Sequence, residues 1–102
     1  MKFELYLFDT LMQDLVGHDR AASAYLVYLQ LYRNSVSIGS DSVTLSHATL
    51  AEMTGLSKRA VQNAIDHLER RELVIQSRAY PTATPTYRVQ TPWRRIYREP
   101  LE

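Results

Sequence analysis

The chain contains no cysteine and only three glycines. Without cysteine it can form neither a disulfide framework nor a thiolate metal site. No apolar run approaches the ~20 residues that cross a bilayer, and the acidic N-terminus KFELYLFD lacks the pattern of a signal peptide. These absences favour a soluble cytoplasmic protein with no membrane partner.

Motifs of catalysis and of metal binding are also missing. The sequence has no glycine-rich phosphate loop, and its serines and threonines stand in no nucleophile motif. His18, His47 and His67 do not follow a metal-ligand spacing, and we interpret His67 as a residue of a helix surface. We therefore expect no enzyme activity, no metal, no cofactor and no small-molecule ligand.

Positive charge is concentrated in the second half of the chain. The 102 residues, of which 45% are hydrophobic, are enough for one globular domain. Residues 1–56 carry three lysines and arginines against six acidic residues, whereas residues 57–98 carry nine against three. Eight of those nine are arginine, which suits bidentate contact with phosphate or guanine. The second half is the candidate for binding a polyanion, and a solvated charged face is the alternative reading.

Hydrophobic periodicity predicts one strong helix in the first half. Residues 3–8 alternate weakly and indicate a short extended entry, and the apolar positions 8, 11, 12 and 15 favour a helical turn or two after it. Asp19 is then a candidate cap for a helix over residues 20–32. The tyrosine stripe of that helix, Tyr25, Tyr28 and Tyr32, indicates core or dimer packing rather than a stacking platform for bases.

Two serines mark the helices of the second half. Ser46 and Ser57 each precede a helical pattern and are candidate N-caps. The helix after Ser57 has the apolar stripe Val61, Ala64, Ile65 and Leu68. The remaining predicted elements are, in chain order, a loop over 34–42, a strand over 43–45, a helix ending at 53 or 54, the helix over 58–71, a strand over 73–78, a loop over 80–85 and a strand over 86–90.

Residues 45–75, LSHATLAEMTGLSKRAVQNAIDHLERRELVI, resemble the winged helix-turn-helix DNA-binding family. Ala51 is small where two helices cross, and Gly55, four residues later, suits the positive φ of the tight turn. Val61 follows Gly55 by six residues and closes the back of the third helix together with Ile65. The whole chain resembles, more loosely, the DNA-binding domains of plasmid and phage replication proteins and of small prokaryotic regulators.

The resemblance implies a mainly α fold with a small β-hairpin wing, built as a three-helix core plus a short β-sheet. It implies a single domain over residues 1–92, with the helix-turn-helix over 46–72 and the wing over 73–90. Two features depart from the family. Relatives commonly have a glycine after the recognition helix, where this chain has Arg71-Glu72-Leu73, and the wing loop with its two prolines is longer than a tight hairpin.

The implied function is sequence-specific binding of double-stranded DNA, with the recognition helix over 58–71 in the major groove. The protein would act in transcription regulation or in replication initiation. Rotation of about 100° per residue from the apolar stripe turns the opposite arc of this helix outward. The candidate base contacts on that arc are Arg59, Gln62, Asn63 and Asp66, where Asp66 accepts from cytosine or only orients Arg59.

Candidate phosphate contacts surround this arc. In the two helices they are His47, Thr49, Ser57, Lys58 and Arg70. The candidate wing contacts, which would follow the DNA backbone or enter the minor groove, are Arg78, Tyr80, Thr82, Thr84 and Arg88. A solvated wing is the equal alternative.

Three questions stay open at the level of sequence. The main alternative function is a winged helix that contacts a protein in a larger assembly. A homodimer is compatible with either function, through the N-terminal segment or the basic aromatic tail over 93–102. In that tail, Arg94, Arg95 and Arg98 are candidate phosphate contacts, or else the tail packs on the domain, and Leu101-Glu102 matches an expression-vector remnant.

Overall fold

The computed structural model describes residues 2–96, with side chains for residues 2–94. The described chain is mainly helical and carries a small three-stranded antiparallel sheet, which confirms this part of the predicted fold class. Its elements are two π-helical segments (Leu7–Leu11 and Gln13–His18), α1 (Ala22–Arg33), a 3-10 turn (Val36–Ile38), β1 (Ser42–Thr44), α2 (His47–Thr54), α3 (Lys58–Arg70), β2 (Val74–Ser77), β3 (Thr86–Val89) and α4 (Trp93–Ile96).

The N-terminal segment is more helical than its sequence pattern indicates. Leu7 already belongs to the first π-helical segment, so the expected extended entry over residues 3–8 is wrong for its second half. The buried residues of the two segments are Leu7, Leu11 and Leu15, four residues apart. Phe8 and Met12, which the helical pattern placed on the apolar face, are 46% and 37% exposed. The wider turn of a π-helix brings every fourth residue to one face and leaves these two outside.

Helix α1 is the centre of the core and contacts α2, α3, β3 and the second π-helical segment. Tyr25, Tyr28 and Tyr32 are buried, which confirms the core interpretation of the tyrosine stripe. Their hydroxyl groups donate to Leu7 O at 2.7 Å, Gln90 O at 2.6 Å and Glu4 Oε1 at 2.7 Å. These bonds satisfy the polar ends of three large side chains, so the core can bury them at little cost.

The start of α1 differs from the prediction. The helix begins at Ala22, and its N-cap Ala21 provides no side-chain hydrogen bond. Asp19 does not cap it, because its carboxylate is bound to His18, His67 and Arg71. Arg20 lies outside the helix with a left-handed backbone, φ 53°. A tertiary ion pair therefore replaces the local cap.

Helices α2 and α3 begin at the predicted caps. Ser46 Oγ accepts from the amide of Thr49 at 3.0 Å, and Ser57 Oγ accepts from the amide of Ala60 at 3.1 Å. Between the helices, Gly55 has φ 78°, the left-handed conformation expected for it. The predicted stripe of α3, Val61, Ala64, Ile65 and Leu68, is buried. The connection is thus a short turn that holds α3 against α1 and α2.

The sheet has the strand order β1-β3-β2 with antiparallel pairing throughout. Val43 pairs with Tyr87, and Gln76 pairs with the same tyrosine from the other side. The three predicted strands are present. β1 has the predicted length but lies one residue earlier, at Ser42–Thr44, whereas β2 is two residues shorter and β3 one residue shorter than predicted. The predicted loop over 34–42 contains the 3-10 turn, in which Ser35 Oγ donates to Leu31 O at 2.6 Å.

The end of α3 is closed by a Schellman motif. The amide of Leu73 donates to Leu68 O at 2.9 Å, and the amide of Glu72 donates to Glu69 O at 3.0 Å. Glu72 has φ 58°, so it occupies the left-handed position at which helices commonly place glycine. The helix ends at Arg70, one residue before the predicted end.

The first part of the C-terminal tail packs on the domain. Trp93 is 5% exposed and stacks on Tyr6 with a ring distance of 4.6 Å. Its Nε1 donates to Glu4 Oε2 at 2.8 Å, and Arg94 Nε donates to Glu4 Oε1 at 2.9 Å. Arg94 is thus engaged with a carboxylate, whereas Arg98 and the side chain of Arg95 lie outside the described part. Within residues 2–96, no helix has the length and apolar character needed to cross a membrane.

Candidate nucleic-acid interface

The outward arc of α3 is polar along its whole length. Packing of the apolar stripe against α1 and α2 turns the opposite side to solvent. The sequence-predicted residues of this arc, Arg59, Gln62, Asn63, Asp66 and Arg70, are all exposed, as is Lys58 at its start. The fold therefore brings the predicted base contacts together on one surface, which we call the α3 face (residues 58, 59, 62, 63, 66 and 70).

The polar groups of the α3 face have no partner within the described chain. None of the six side chains forms a hydrogen bond or an ion pair with another residue among those described. Asp66 forms no hydrogen bond or ion pair with Arg59 in the described chain, so no contact supports the prediction that Asp66 orients Arg59. Lys58 and Arg59 stand in the first turn of α3, which contains no acid to offset the positive end of the helix dipole. The face is open to an external acceptor.

Other arginines are neutralised inside the fold. Arg71, directly after α3, binds the carboxylates of Asp14 and Asp19, and Arg94 binds Glu4. Although partial burial opposes ionisation of Glu4, hydrogen bonds from Arg94, Trp93 and Tyr32 keep its pKa below the ordinary value. The C-terminal half of the chain is rich in arginine, but only part of that charge is free to meet a polyanion.

The predicted phosphate contacts at the starts of α2 and α3 differ in their exposure to solvent and in their hydrogen bonds. Thr49 is exposed, and its hydroxyl accepts from Ser46 Oγ at 2.9 Å. His47 is half-buried and its Nε2 is buried without a hydrogen-bond partner among the described residues. Burial and the nearby charge of Arg78 lower the pKa of His47, against the opposing effect of Asp66. The lowered pKa disfavours the charged form of His47 in the free protein. Ser57 is exposed and its Oγ is engaged as the cap of α3.

The loop between β2 and β3 is held by a side-chain contact. Arg78 donates from its guanidinium to Ala83 O at 2.7 Å, and the amide of Ala83 donates to Tyr80 O at 2.9 Å. Ala83 and Pro85 are buried. The predicted wing contacts nevertheless all reach solvent: Arg78, Tyr80, Thr82, Thr84 and Arg88.

Sequence reasoning missed an ion-pair cluster beside α3, formed by Asp14, His18, Asp19, His67 and Arg71. His67 Nε2 lies 2.8 Å from Asp19 Oδ2, so His67 is not the free surface residue that was expected. Burial opposes ionisation of Asp19, but hydrogen bonds from His18, His67 and Arg71 hold its pKa at about 2. The partners are about 50 residues apart in sequence, and no local pattern signals such a contact.

Among the described residues, three members of this cluster have the spacing of possible metal ligands. Asp14, His18 and Asp19 hold ligand atoms within 4.8 Å of one another. Arg71 binds both carboxylates and compensates their charge. The arrangement is that of a structural ion pair that ties the N-terminal segment to the end of α3.

Comparison of the chain with known protein families, with curated proteins and with solved structures finds no match.

Proposed function

We propose that the protein is a sequence-specific binder of double-stranded DNA, with α3 as the recognition helix in the major groove. The observation that carries this proposal is the α3 face, six exposed polar side chains without a partner in the described chain. A helix face that combines cations with amide groups suits base edges, which offer both acceptors and donors. The protein then acts as a small transcriptional regulator or as the DNA-binding part of a replication protein.

The arrangement of the elements supports a winged helix-turn-helix. Helix α2, a turn with a left-handed glycine and helix α3 follow in the order that the resemblance implies. The hairpin of β2 and β3 follows α3, and β1, which precedes α2, completes the three-stranded sheet. The exposed loop of that hairpin would serve as the wing. In this fold the N-terminal half of the recognition helix reaches base edges.

The α3 face divides into reading and anchoring positions. Arg59 suits guanine, Asn63 or Gln62 suits adenine, and Asp66 suits the amino group of cytosine. Lys58 at the helix start and Arg70 at its end suit phosphates on either side of the groove. His47 at the start of α2 remains a candidate phosphate contact through a hydrogen bond.

Binding titrations on duplex DNA at several salt concentrations test this function. The affinity should fall with salt at a slope near −0.9 for each phosphate neutralised. Arg59→Ala should cost about 1 to 3 kcal/mol at one base position, whereas Lys58→Ala should weaken all sequences alike. Arg33→Ala is the control, because this substitution removes the same charge at an exposed residue, the last one of α1. Equal effects of the three substitutions would contradict base reading by α3.

Contact with an acidic protein is the alternative use of this face, and the polar amides of Gln62 and Asn63 favour DNA over it. A homodimer that reads a palindrome would use the N-terminal segments, where Phe8, Met12 and Val16 expose apolar side chains on one side. Sedimentation equilibrium distinguishes monomer from dimer directly.

A further inference from the structure

A groove of about 330 Å³ runs between the start of α1 and the side of α3. Arg20 and Ser23 line it from the α1 side, and Asn63 and Arg70 line it from the α3 side. Asn63 and Arg70 also belong to the α3 face, so the groove opens at the edge of the surface that we assign to DNA. Any molecule that covers the α3 face there also meets the start of α1.

The free charge in this groove is positive. Arg20 and Arg70 are exposed and form no ion pair with a described residue. Asp19 also lines the groove, but its carboxylate is bound to Arg71 and His67. Two arginines without an ion pair thus line a groove in which the carboxylate is already compensated, and guanidinium groups suit an anion such as phosphate.

The backbone of Arg20 is an independent observation. Its φ of 53° lies in the left-handed region, which is unfavourable for a residue with a Cβ and is ordinarily taken by glycine or asparagine. The turn there is fixed on both sides, because the amide of Asp19 donates to Asp14 O at 2.9 Å and the amide of Ala21 donates to Leu15 O at 2.8 Å. Glycine would be less strained at this position, whereas the arginine supplies a guanidinium to the groove.

We propose that this groove binds a backbone phosphate of the DNA duplex, with Arg20 as the contact from outside the recognition helix. The proposal rests on the function proposed above. A helix with its side chains is about 10–12 Å across and fills a major groove about 12 Å wide. Side chains carried by a neighbouring element at the flank of the helix therefore meet the sugar-phosphate backbone rather than base edges. Arg20 fixes the position of α3 along the groove and reads no sequence.

The test compares duplex binding of Arg20→Gly, Arg20→Gln and Arg33→Ala with that of the wild type. All three variants lose one positive charge, and Arg33 stands at the opposite end of α1 from Arg20. Near 0.1 M salt, both Arg20 variants should bind about fivefold to tenfold more weakly on every duplex sequence, with a salt slope smaller by about 0.9. Arg33→Ala should keep the wild-type slope. Arg20→Gly should also unfold no earlier on heating than the wild type, which separates lost binding from lost folding.

Three results would overturn the proposal. If the Arg20 variants keep the wild-type slope and affinity, as Arg33→Ala should, the groove takes no phosphate although α3 still binds DNA. If they change the preference at a single base position, Arg20 reads a base. If the wild type binds no duplex even at low salt, the proposed function fails together with this inference, and an acidic protein becomes the candidate partner.

Discussion

Two of the described residues that are not glycine adopt a backbone that their side chains disfavour. Arg20 and Glu72 have φ values of 53° and 58°, and each is the second residue after the end of a helical segment. A left-handed conformation costs an L-residue roughly 1–2 kcal/mol relative to the right-handed one. At Arg20 the groove suggests a functional reason, whereas at Glu72 the Schellman geometry needs only the conformation and not the side chain.

Glu72→Gly should therefore stabilise the protein. Glycine removes the left-handed penalty but gains freedom in the unfolded chain, so the net increase in the free energy of unfolding should be about 0.5 to 1 kcal/mol. Urea unfolding followed by circular dichroism measures it. Glu72→Ala is the matched control, because it removes the same charge and keeps the Cβ. A gain in the alanine variant equal to that in the glycine variant would assign the effect to charge instead of backbone.

Some residue roles are predictable because they are local. Ser46 and Ser57 each cap a helix by accepting a hydrogen bond from the amide three residues later. Gly55 is required only by the left-handed backbone at its own position, so the local pattern identifies all three residues. Asp19 looks like an equally good cap in sequence. Its carboxylate is taken by Arg71, a residue more than 50 positions away, and a distant partner of this kind leaves no trace in the local pattern.

Among the elements, α3 is held in place by two kinds of contact, apolar packing along its length and ion pairs at its C-terminal end. Its apolar stripe packs against α1 and α2, and its C-terminal end is tied to the N-terminal segment through Arg71 and the two carboxylates. The adjacent Arg70 makes no such contact and faces the groove. Of these two neighbouring arginines, Arg71 forms ion pairs within the fold and Arg70 is exposed to solvent.

Arg71→Ala and Arg70→Ala should differ in their effect on stability. Loss of Arg71 leaves Asp19 buried without its strong partner, and we expect a destabilisation of about 1 to 2 kcal/mol, moderated because Arg71 itself is a third exposed. Arg70→Ala should change stability by less than about 0.5 kcal/mol. Urea unfolding of the two variants measures the difference. A larger loss of stability in Arg70→Ala than in Arg71→Ala would exchange their roles.

Elements with strong periodicity are predictable, and the ends of the chain are less so. The stripe of α3 fixes its buried face from sequence, and the structure has the same four residues inside. The N-terminal segment escapes prediction because its π-helical turn changes which residues share a face. Packing of the tail on the domain is one of the two readings that the sequence offers for it. The partners of Trp93, Glu4 and Tyr6 at the other end of the chain, are set by the folded topology and leave no local pattern.

At the scale of the molecule, charge is distributed between internal ion pairs and an open face. The carboxylates of the first half, Glu4, Asp14 and Asp19, bind Arg71 and Arg94 from the second. Part of the excess of cations in the second half therefore forms ion pairs with the N-terminal segment. Among the described residues, the cations of the second half without an ion pair are Lys58, Arg59 and Arg70 on the α3 face and Arg78 and Arg88 in the β2–β3 hairpin.

These internal carboxylates should make the fold sensitive to acid. Asp19 has its pKa lowered from 3.8 to about 2, and the pKa of Glu4 is lowered as well. A carboxylate with a lowered pKa stabilises the fold fully above its ordinary pKa and loses that contribution as the pH falls toward the folded value. For Asp19 the loss is about 2 kcal/mol, and it develops between about pH 4 and pH 2.

Urea midpoints measured from pH 6 to pH 2.5 check this dependence. The wild-type midpoint should be level near neutrality and fall below about pH 4, and Asp19→Asn, which cannot titrate there, should show a smaller fall from a lower starting value. A wild-type midpoint that is the same at pH 2.5 and pH 6 would show that the ion pairs contribute no net stability.

Selection of bound duplexes from a random pool distinguishes base reading by α3 from DNA binding without sequence preference. The wild type should enrich a defined motif, and its symmetry would also report whether one or two copies bind. Arg59→Ala should relax the preference at one position of that motif and leave the others unchanged. Enrichment of no motif by the wild type, or an identical motif after Arg59→Ala, would contradict base reading by α3.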